Sequence, residues 1–280
     1  MRKLEGKVAV VTGGGSGIGA AVGKACHAEG MTVAVVDIDR PRAVAVADAL
    51  DETGERSAAF GVDVADAHAV DALAAEIFAR FGGCHLLHNN AGLCPMGRAW
   101  DHSAAEWHHV VGVNLLGVAH GVNAFVPRML DQGTEAHIVN TASAAALRHV
   151  PSSALYNATK FGVLALTESL RADLAPHGIG VSALCPGGVA TNIADSMRGT
   201  IDRPRSDEEV AALLGEFASV DAAHITVITP ERVGELVLEG VRDNAAYIIT
   251  HPGSLEAVSA RHAGIQAAYR SQHDRHPELP

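Results

Sequence analysis

The chain has four cysteines, Cys26, Cys84, Cys94 and Cys185, and no two of them form a C-x-x-C pair. That excludes a disulfide framework and a thiolate metal site, and it fits a reducing, cytoplasmic setting. Positive charge is also scarce: 21 Lys and Arg against 32 Asp and Glu leave a net charge of −11. The mean field therefore repels phosphate backbones and offers anionic lipid nothing to hold, so neither nucleic acid nor a membrane surface is an expected partner. The apolar run Val8 to Val11 behind Arg2, Lys3 and Lys7 is too short for a signal segment and runs straight into glycines. No stretch approaches the ~20 consecutive apolar residues that a membrane-spanning helix needs. Internal repeats, low-complexity tracts and Pro/Ser-rich linkers are lacking too. The sixteen histidines stand singly or as His108-His109, without H-E-x-x-H or a Cys/His cluster. They read as solvated or core imidazoles and no metal site is expected.

What is present is apolar sequence in a regular order. With 48% hydrophobic and 19% charged residues, 280 residues can bury one large core, and a single domain spanning 1–280 is the economical reading. Strand-like runs at Val8 to Thr12, Thr32 to Val36, Ala59 to Val62, His85 to His88, Ala136 to Asn140, Gly180 to Leu184 and Ala246 to Thr250 alternate with helical periodicity. The helical stretches are 17–29, 41–51, 66–80, 104–131, 154–176 and 230–243. Most strands are continuous hydrophobic runs, as expected where helices cover both faces. This predicts an α/β fold: a doubly wound, seven-stranded parallel sheet of Rossmann type. Two stretches fall outside the alternation. Residues 193–229 would lie beyond the carboxyl end of the sixth strand as a substrate lid. Residues 253–280 form an extension that begins with helical periodicity and whose last ten residues read as loose or held by a neighbouring subunit.

Thr12-Gly13-Gly14-Gly15-Ser16-Gly17-Ile18-Gly19 joins the first strand directly to an apolar-periodic helix. Glycines let the backbone approach a pyrophosphate, and the helix N-terminus aims N–H groups and its positive dipole end at the anion. Asp37, eighteen residues after Gly19, stands where a βαβ unit sets an acid against the adenosine ribose. Its charge would repel a 2′-phosphate, so NAD is favoured over NADP; Arg40 is the one opposing feature. Asp63-Val64 would reach the adenine edge, and Asn89-Asn90-Ala91-Gly92 offers small residues for close passage beside ribose and nicotinamide. Tyr156 and Lys160, four apart in a helical pattern, share one face. An ammonium beside a phenol favours the phenolate and makes tyrosine a usable acid/base group. Ser143, at the end of a strand, can hold the substrate oxygen. Asn114, a mid-helix amide, marks a water-holding kink that links Lys160 to solvent.

Together these motifs resemble the short-chain dehydrogenase/reductase family, in its short branch. The match runs in order from Lys7 to about Thr191 and includes the turn Pro186-Gly187. The resemblance implies that Asn90, Val189 and Thr191 touch the cofactor and that Lys160 also holds the nicotinamide ribose. It further implies reversible hydride transfer between NAD and a small alcohol or ketone, and a homo-oligomer, dimer or tetramer. Pocket candidates are Leu93 to Gly97, Ala144 to Val150, Gly188 and the lid, largely apolar with Arg148 and His149 as polar anchors. They suit a medium-sized, mostly hydrophobic secondary alcohol or ketone, and the segment from Tyr247 to Pro252 with the helix after it resembles tails of family members that act on bulky aromatic or cyclic alcohols. The alternatives are an NADPH-dependent carbonyl or 3-oxoacyl thioester reductase and a non-catalytic NAD sensor.

Overall fold

A computed structural model describes residues 1–193, 196, 206–212 and 226–279. In chain order the main elements are β1 (Val8–Thr12), α1 (Gly17–Ala28), β2 (Thr32–Asp37), α2 (Arg40–Leu50), β3 (Ser57–Gly61), α3 (Ala67–Phe81) and β4 (Leu86–Asn89). There follow α4 (Ala104–Val111), α5 (Gly117–Gln132), β5 (Ala136–Thr141), α6 (Ala154–Leu174), β6 (Ile179–Cys185), α7 (Pro230–Asp243), β7 (Tyr247–Ile249) and α8 (Leu255–Arg275). The strands pair in the order β3-β2-β1-β4-β5-β6-β7, all parallel. Chain order reverses direction between β1 and β4, so a crevice opens there at the carboxyl ends of the strands.

The continuous apolar strands supply two cores because successive side chains point to opposite faces. Val10, Ala34, Val36, Leu87 and Ile138 face α3 and α5, where Ile77, Phe125 and Met129 meet them. Ala9, Val11, Val33, Leu86 and Val139 face the other way, onto Val22 and Cys26 of α1 and Val233, Val237 and Val241 of α7. Short polar caps set the helix starts: Asp39 accepts from the amide of Arg42, Asp66 from His68 and Ala69, and Thr229 from Arg232.

Four expectations need correction. The stretch expected as one helix over 104–131 is α4 and α5 separated by a π turn at Gly112–Leu116, centred on Asn114. Ala104–Gln132 taken together is long and apolar enough to span a bilayer, contrary to the reading that nothing approaches that length. Half of its most apolar window is buried in the fold, as in a core helix of an α/β sheet. The third strand starts at Ser57, two residues early, because the Ser57 hydroxyl donates to the Ala47 carbonyl at 2.7 Å and docks the strand under α2. The extension holds helix well into its polar end, to Arg275, with no residue of α8 buried, and Arg261 stands over the Phe161 ring of α6 at 4.9 Å. The expected lid, 193–229, lies largely outside the described residues.

Candidate active site

The glycine turn links β1 to α1 at the crevice. Gly13 and Gly17 have φ of 62° and 53°, left-handed values that an L side chain resists. Packing demands glycine as well. A Cβ on Gly13 would stand 2.9 Å from the Ala91 Cα, and one on Gly19 would overlap the Gly13 carbonyl oxygen. Asn90 braces the same turn: its Nδ2 donates to the Thr12 carbonyl at 3.0 Å, and its amide N–H donates to Thr12 Oγ1 at 2.9 Å. Ser16, at the N-cap, makes no side-chain hydrogen bond to the first turn of α1, so that helix end is left open to an anion. Thr191, distant in sequence, crosses over Gly17; a Cβ there would lie 3.0 Å from its Cγ2.

Asp37 closes β2 beside this turn. Its Oδ2 accepts from the Gly15 N–H at 2.9 Å and its Oδ1 from Asp39 N–H at 3.0 Å. The carboxylate is thus fixed in direction while each oxygen keeps a further lone pair. The expected opposing cation differs from the one found. Arg40 packs along Gly61 on β3, whereas Arg42 lies against Gly15 and pairs with Asp39 at 3.0 Å. Asp63 accepts from Ala65 N–H at 2.9 Å, and Val64 is buried at the head of the same loop. Ala91 and Gly92 line the continuation of β4. A Cβ on Gly92 would be 3.4 Å from both Asn114 Oδ1 and Lys160 Nζ, so the missing side chain leaves room between them.

Ser143, Tyr156 and Lys160 come together between the end of β5 and the start of α6. Lys160 is 3% exposed, donates to the Thr141 carbonyl at 2.8 Å, and its Nζ stands 5.7 Å from the centroid of the Tyr156 ring. Ser143 caps the short turn Ala144–Ala146 through the amide of Ala145 at 3.1 Å. The electrostatics differ from the expectation of a phenol held down by the lysine. Burial pushes the Tyr156 pKa up, the neighbouring thiols Cys94 and Cys185 add to this, and it is the nearby Ser143 hydroxyl that pulls it back. Burial likewise lowers Lys160 to about 8, and raises the Cys94 and Cys185 thiols to about 12. Asn114 is also more committed than a water-holding kink implies. Its side chain clamps Leu93, with Oδ1 accepting from the amide at 2.8 Å and Nδ2 donating to the carbonyl at 2.9 Å. The same Nδ2 group donates to Thr159 Oγ1 at 3.1 Å.

The walls of the pocket are tied to this centre. Asn157 Nδ2 donates to the Val150 carbonyl at 2.7 Å, and Gly97 N–H to the Ser152 carbonyl at 2.7 Å, joining the 93–97 and 144–153 segments. The Pro186 carbonyl accepts from Ala144 N–H at 2.8 Å, which brings the Pro186-Gly187 turn next to Ser143. Val189 pairs with Ile228. Sequence reasoning included Cys94 only as part of a pocket wall and missed Cys185, Arg42 and the packing of Thr250 and His251 behind Gly187, 63 and 64 residues away. Among the described residues no group of acidic, His and Cys side chains could hold a metal.

A family model described as short chain dehydrogenase matches residues 7–202. A C alpha-dehydrogenase of Sphingobium is 33% identical over 275 residues, covering 95% of this chain and 87% of that protein. The probable oxidoreductase EphD of Mycobacterium tuberculosis is 33% identical over 233 residues, and the chain spans only 39% of that protein's length. In structure, a short chain dehydrogenase/reductase from Burkholderia phymatum in complex with NAD superposes with a TM-score of 0.86 at 39% identity, covering 96% of this chain and 97% of that one. With its parallel seven-stranded sheet and a family match over most of its length, the chain belongs to the short chain dehydrogenase family of oxidoreductases.

Proposed function

We propose that the protein is an NAD-dependent dehydrogenase that interconverts a secondary alcohol and its ketone, on a medium-sized, largely apolar, cyclic or aromatic substrate. The observation that carries this reading is the convergence of Ser143, Tyr156 and Lys160 beside the Pro186-Gly187 turn, across the crevice from a glycine turn whose helix end is uncapped. Gly13 to Gly19 and Thr191 would hold the pyrophosphate and Asp37 the adenosine ribose, with Asp63 and Val64 at the adenine and Asn90 to Gly92, Pro186, Gly187 and Val189 around the nicotinamide half. The bound nicotinamide supplies the hydride donor or acceptor. Tyr156 gives or takes the hydroxyl proton, Ser143 positions the substrate oxygen, and Lys160 contributes positive charge to the buried pocket. Asn114 holds Leu93 and α6 in register, which keeps the pocket wall at a fixed distance from Lys160. The apolar character of the substrate rests on Leu93, Met96, Ala144 to Leu147 and Val150, and the Sphingobium relative is named for a dehydrogenation.

NAD is the reading because the Asp37 carboxylate is fixed by two backbone amides at the position where a 2′-phosphate would enter. A second reading, an NADPH-dependent carbonyl reductase, draws on Arg42 beside Gly15, whose charge is already engaged by Asp39. The test is a panel of alcohols and ketones followed by nicotinamide absorbance with both cofactors, together with Tyr156→Phe. Turnover with NAD and an apolar secondary alcohol is expected, falling by about 10²–10⁴ in the variant while NAD still binds. Near-normal turnover by Tyr156→Phe would reject the assignment.

A further inference from the structure

The Pro186-Gly187 turn is held from behind by a histidine that none of the expected motifs includes. The Gly187 N–H points at two acceptors, Thr250 Oγ1 at 3.1 Å and His251 Nδ1 at 3.2 Å. A backbone N–H can only donate, so Nδ1 is the unprotonated ring nitrogen and the ring proton sits on Nε2. Nε2 then donates to the Thr226 carbonyl at 2.7 Å, and the Thr250 hydroxyl donates to Nδ1 at 2.6 Å. One tautomer serves the three groups around the ring, with the Nδ1 lone pair shared between the Thr250 hydroxyl and the Gly187 N–H, which also donates to Thr250 Oγ1. The fit is tight as well: a Cβ on Gly187 would lie 2.6 Å from Nδ1, so only glycine lets the imidazole close on the turn.

The two segments that the ring joins are themselves paired. Ile228 N–H donates to the Gly188 carbonyl at 3.1 Å, and Ala190 N–H donates to the Ile228 carbonyl at 3.0 Å. On its far side the turn reaches Ser143 through the bond from Ala144 N–H to the Pro186 carbonyl. We propose that His251 is a positioning residue: it locks the Pro186-Gly187 turn to the Thr226–Ile228 segment, so that the turn meets the nicotinamide half of the cofactor as a preset surface. The inference rests on the proposed reading of this crevice as a dinucleotide site.

Three variants separate the two ends of the ring. His251→Asn keeps an acceptor near the Nδ1 position, His251→Gln keeps a donor that reaches the Thr226 carbonyl, and His251→Ala keeps neither. The measurements are the NAD dissociation constant by tryptophan fluorescence titration, KM and kcat for the alcohol, and the thermal unfolding midpoint. We expect His251→Ala to weaken NAD binding about five- to tenfold, the loss of one or two hydrogen bonds, and His251→Asn to recover most of it. kcat should change less than the NAD affinity. Equal NAD binding in wild type and His251→Ala, or equal weakening in Ala and Asn, would overturn the proposal. Should His251→Ala not fold, stronger NAD binding by Asn than by Gln supports it, and the reverse order or no difference overturns it. A wild-type protein that binds no NAD would instead bring down the functional reading first.

Discussion

Gly19 and Gly23 stand one turn apart on α1, and the packing around them predicts opposite responses to the same methyl group. A Cβ on Gly19 overlaps the Gly13 carbonyl oxygen and comes within 2.8 Å of Asn90 Nδ2, which is backbone and a brace that cannot swing away without releasing Thr12. Overpacking of this kind costs about 1–3 kcal/mol. A Cβ on Gly23 meets Val33 Cγ1 at 3.5 Å and Leu50 Cδ1 at 3.9 Å, ordinary contact in a helix interior. There, alanine gains about 0.5–1 kcal/mol over glycine. At roughly 2–4 °C per kcal/mol for a chain of this size, Gly19→Ala should lower the unfolding midpoint by about 2–12 °C and Gly23→Ala raise it by about 1–4 °C. Thermal unfolding followed by circular dichroism reads both, and an NAD titration adds the functional arm. Gly19→Ala should lose affinity because the turn must move, whereas Gly23→Ala should keep it. Shifts of the same sign in the two variants, or a Gly19→Ala protein with unchanged NAD affinity, would refute the steric argument.

Asp37→Ser removes a carboxylate whose charge-assisted bonds are worth about 1.5–3 kcal/mol each, so kcat/KM with NAD should fall about 10- to 100-fold while that with NADP rises. Unchanged cofactor preference would show that Asp37 does not face the ribose. His88 and His137 are buried with their pKa values lowered by desolvation to about 3. Between about pH 6.5 and 3 the unfolded chain binds protons that the folded one refuses, so stability falls as pH drops through that window, by up to about 1.4 kcal/mol per pH unit for each ring. His27 and His85, also lowered by desolvation, add to the same slope; in urea unfolding His137→Gln should reduce it, and an unaltered slope would count against the assignment. Ser143→Ala takes away the hydroxyl that favours the Tyr156 phenolate, so the acidic limb of the kcat/KM profile for alcohol oxidation should move to higher pH. A limb that moves down, or stays in place, contradicts that role for Ser143.

The glycine turn and the strands were legible because their causes are local. Five glycines between an apolar run and a helix have few uses, and a strand covered on both faces is largely apolar, as β1 is up to Thr12; β5 is just as buried yet carries His137, Asn140 and Thr141. Asn114 was legible as an irregularity but not as a π turn. A poor helix former between Gly112 and Gly117 marks the weak point, yet the extra residue is accommodated by hydrogen bonds to Leu93 and Thr159, 21 and 45 residues away. Arg42 was missed for the same kind of reason. Arg40 and Arg42 are two residues apart on α2, and only the way that helix packs decides which one faces Gly15 and which one runs along Gly61. His251 lies 64 residues from Gly187, so no spacing rule could pair them.

The case of Tyr156 and Lys160 shows the limit most sharply. A spacing of four places two side chains on one helix face, and the structure does put the ammonium 5.7 Å from the ring. Spacing says nothing about the medium between them. Lys160 is buried and Tyr156 half-buried, and desolvation disfavours both charges: the phenol moves up while the amine moves down to about 8. The Thr141 carbonyl, supplied by the end of β5, takes one of the three N–H donors of the Lys160 ammonium. In the free chain at neutral pH the phenol is therefore protonated, the form that the proposed reaction would use to reduce a ketone. The oxidation of an alcohol needs the phenolate, and Ser143 is the side chain that moves the phenol toward it. The protonation state that each direction would need thus lies in how far Ser143 offsets desolvation, a property of β5 and the turn after it, which the Y-x-x-x-K spacing alone does not contain.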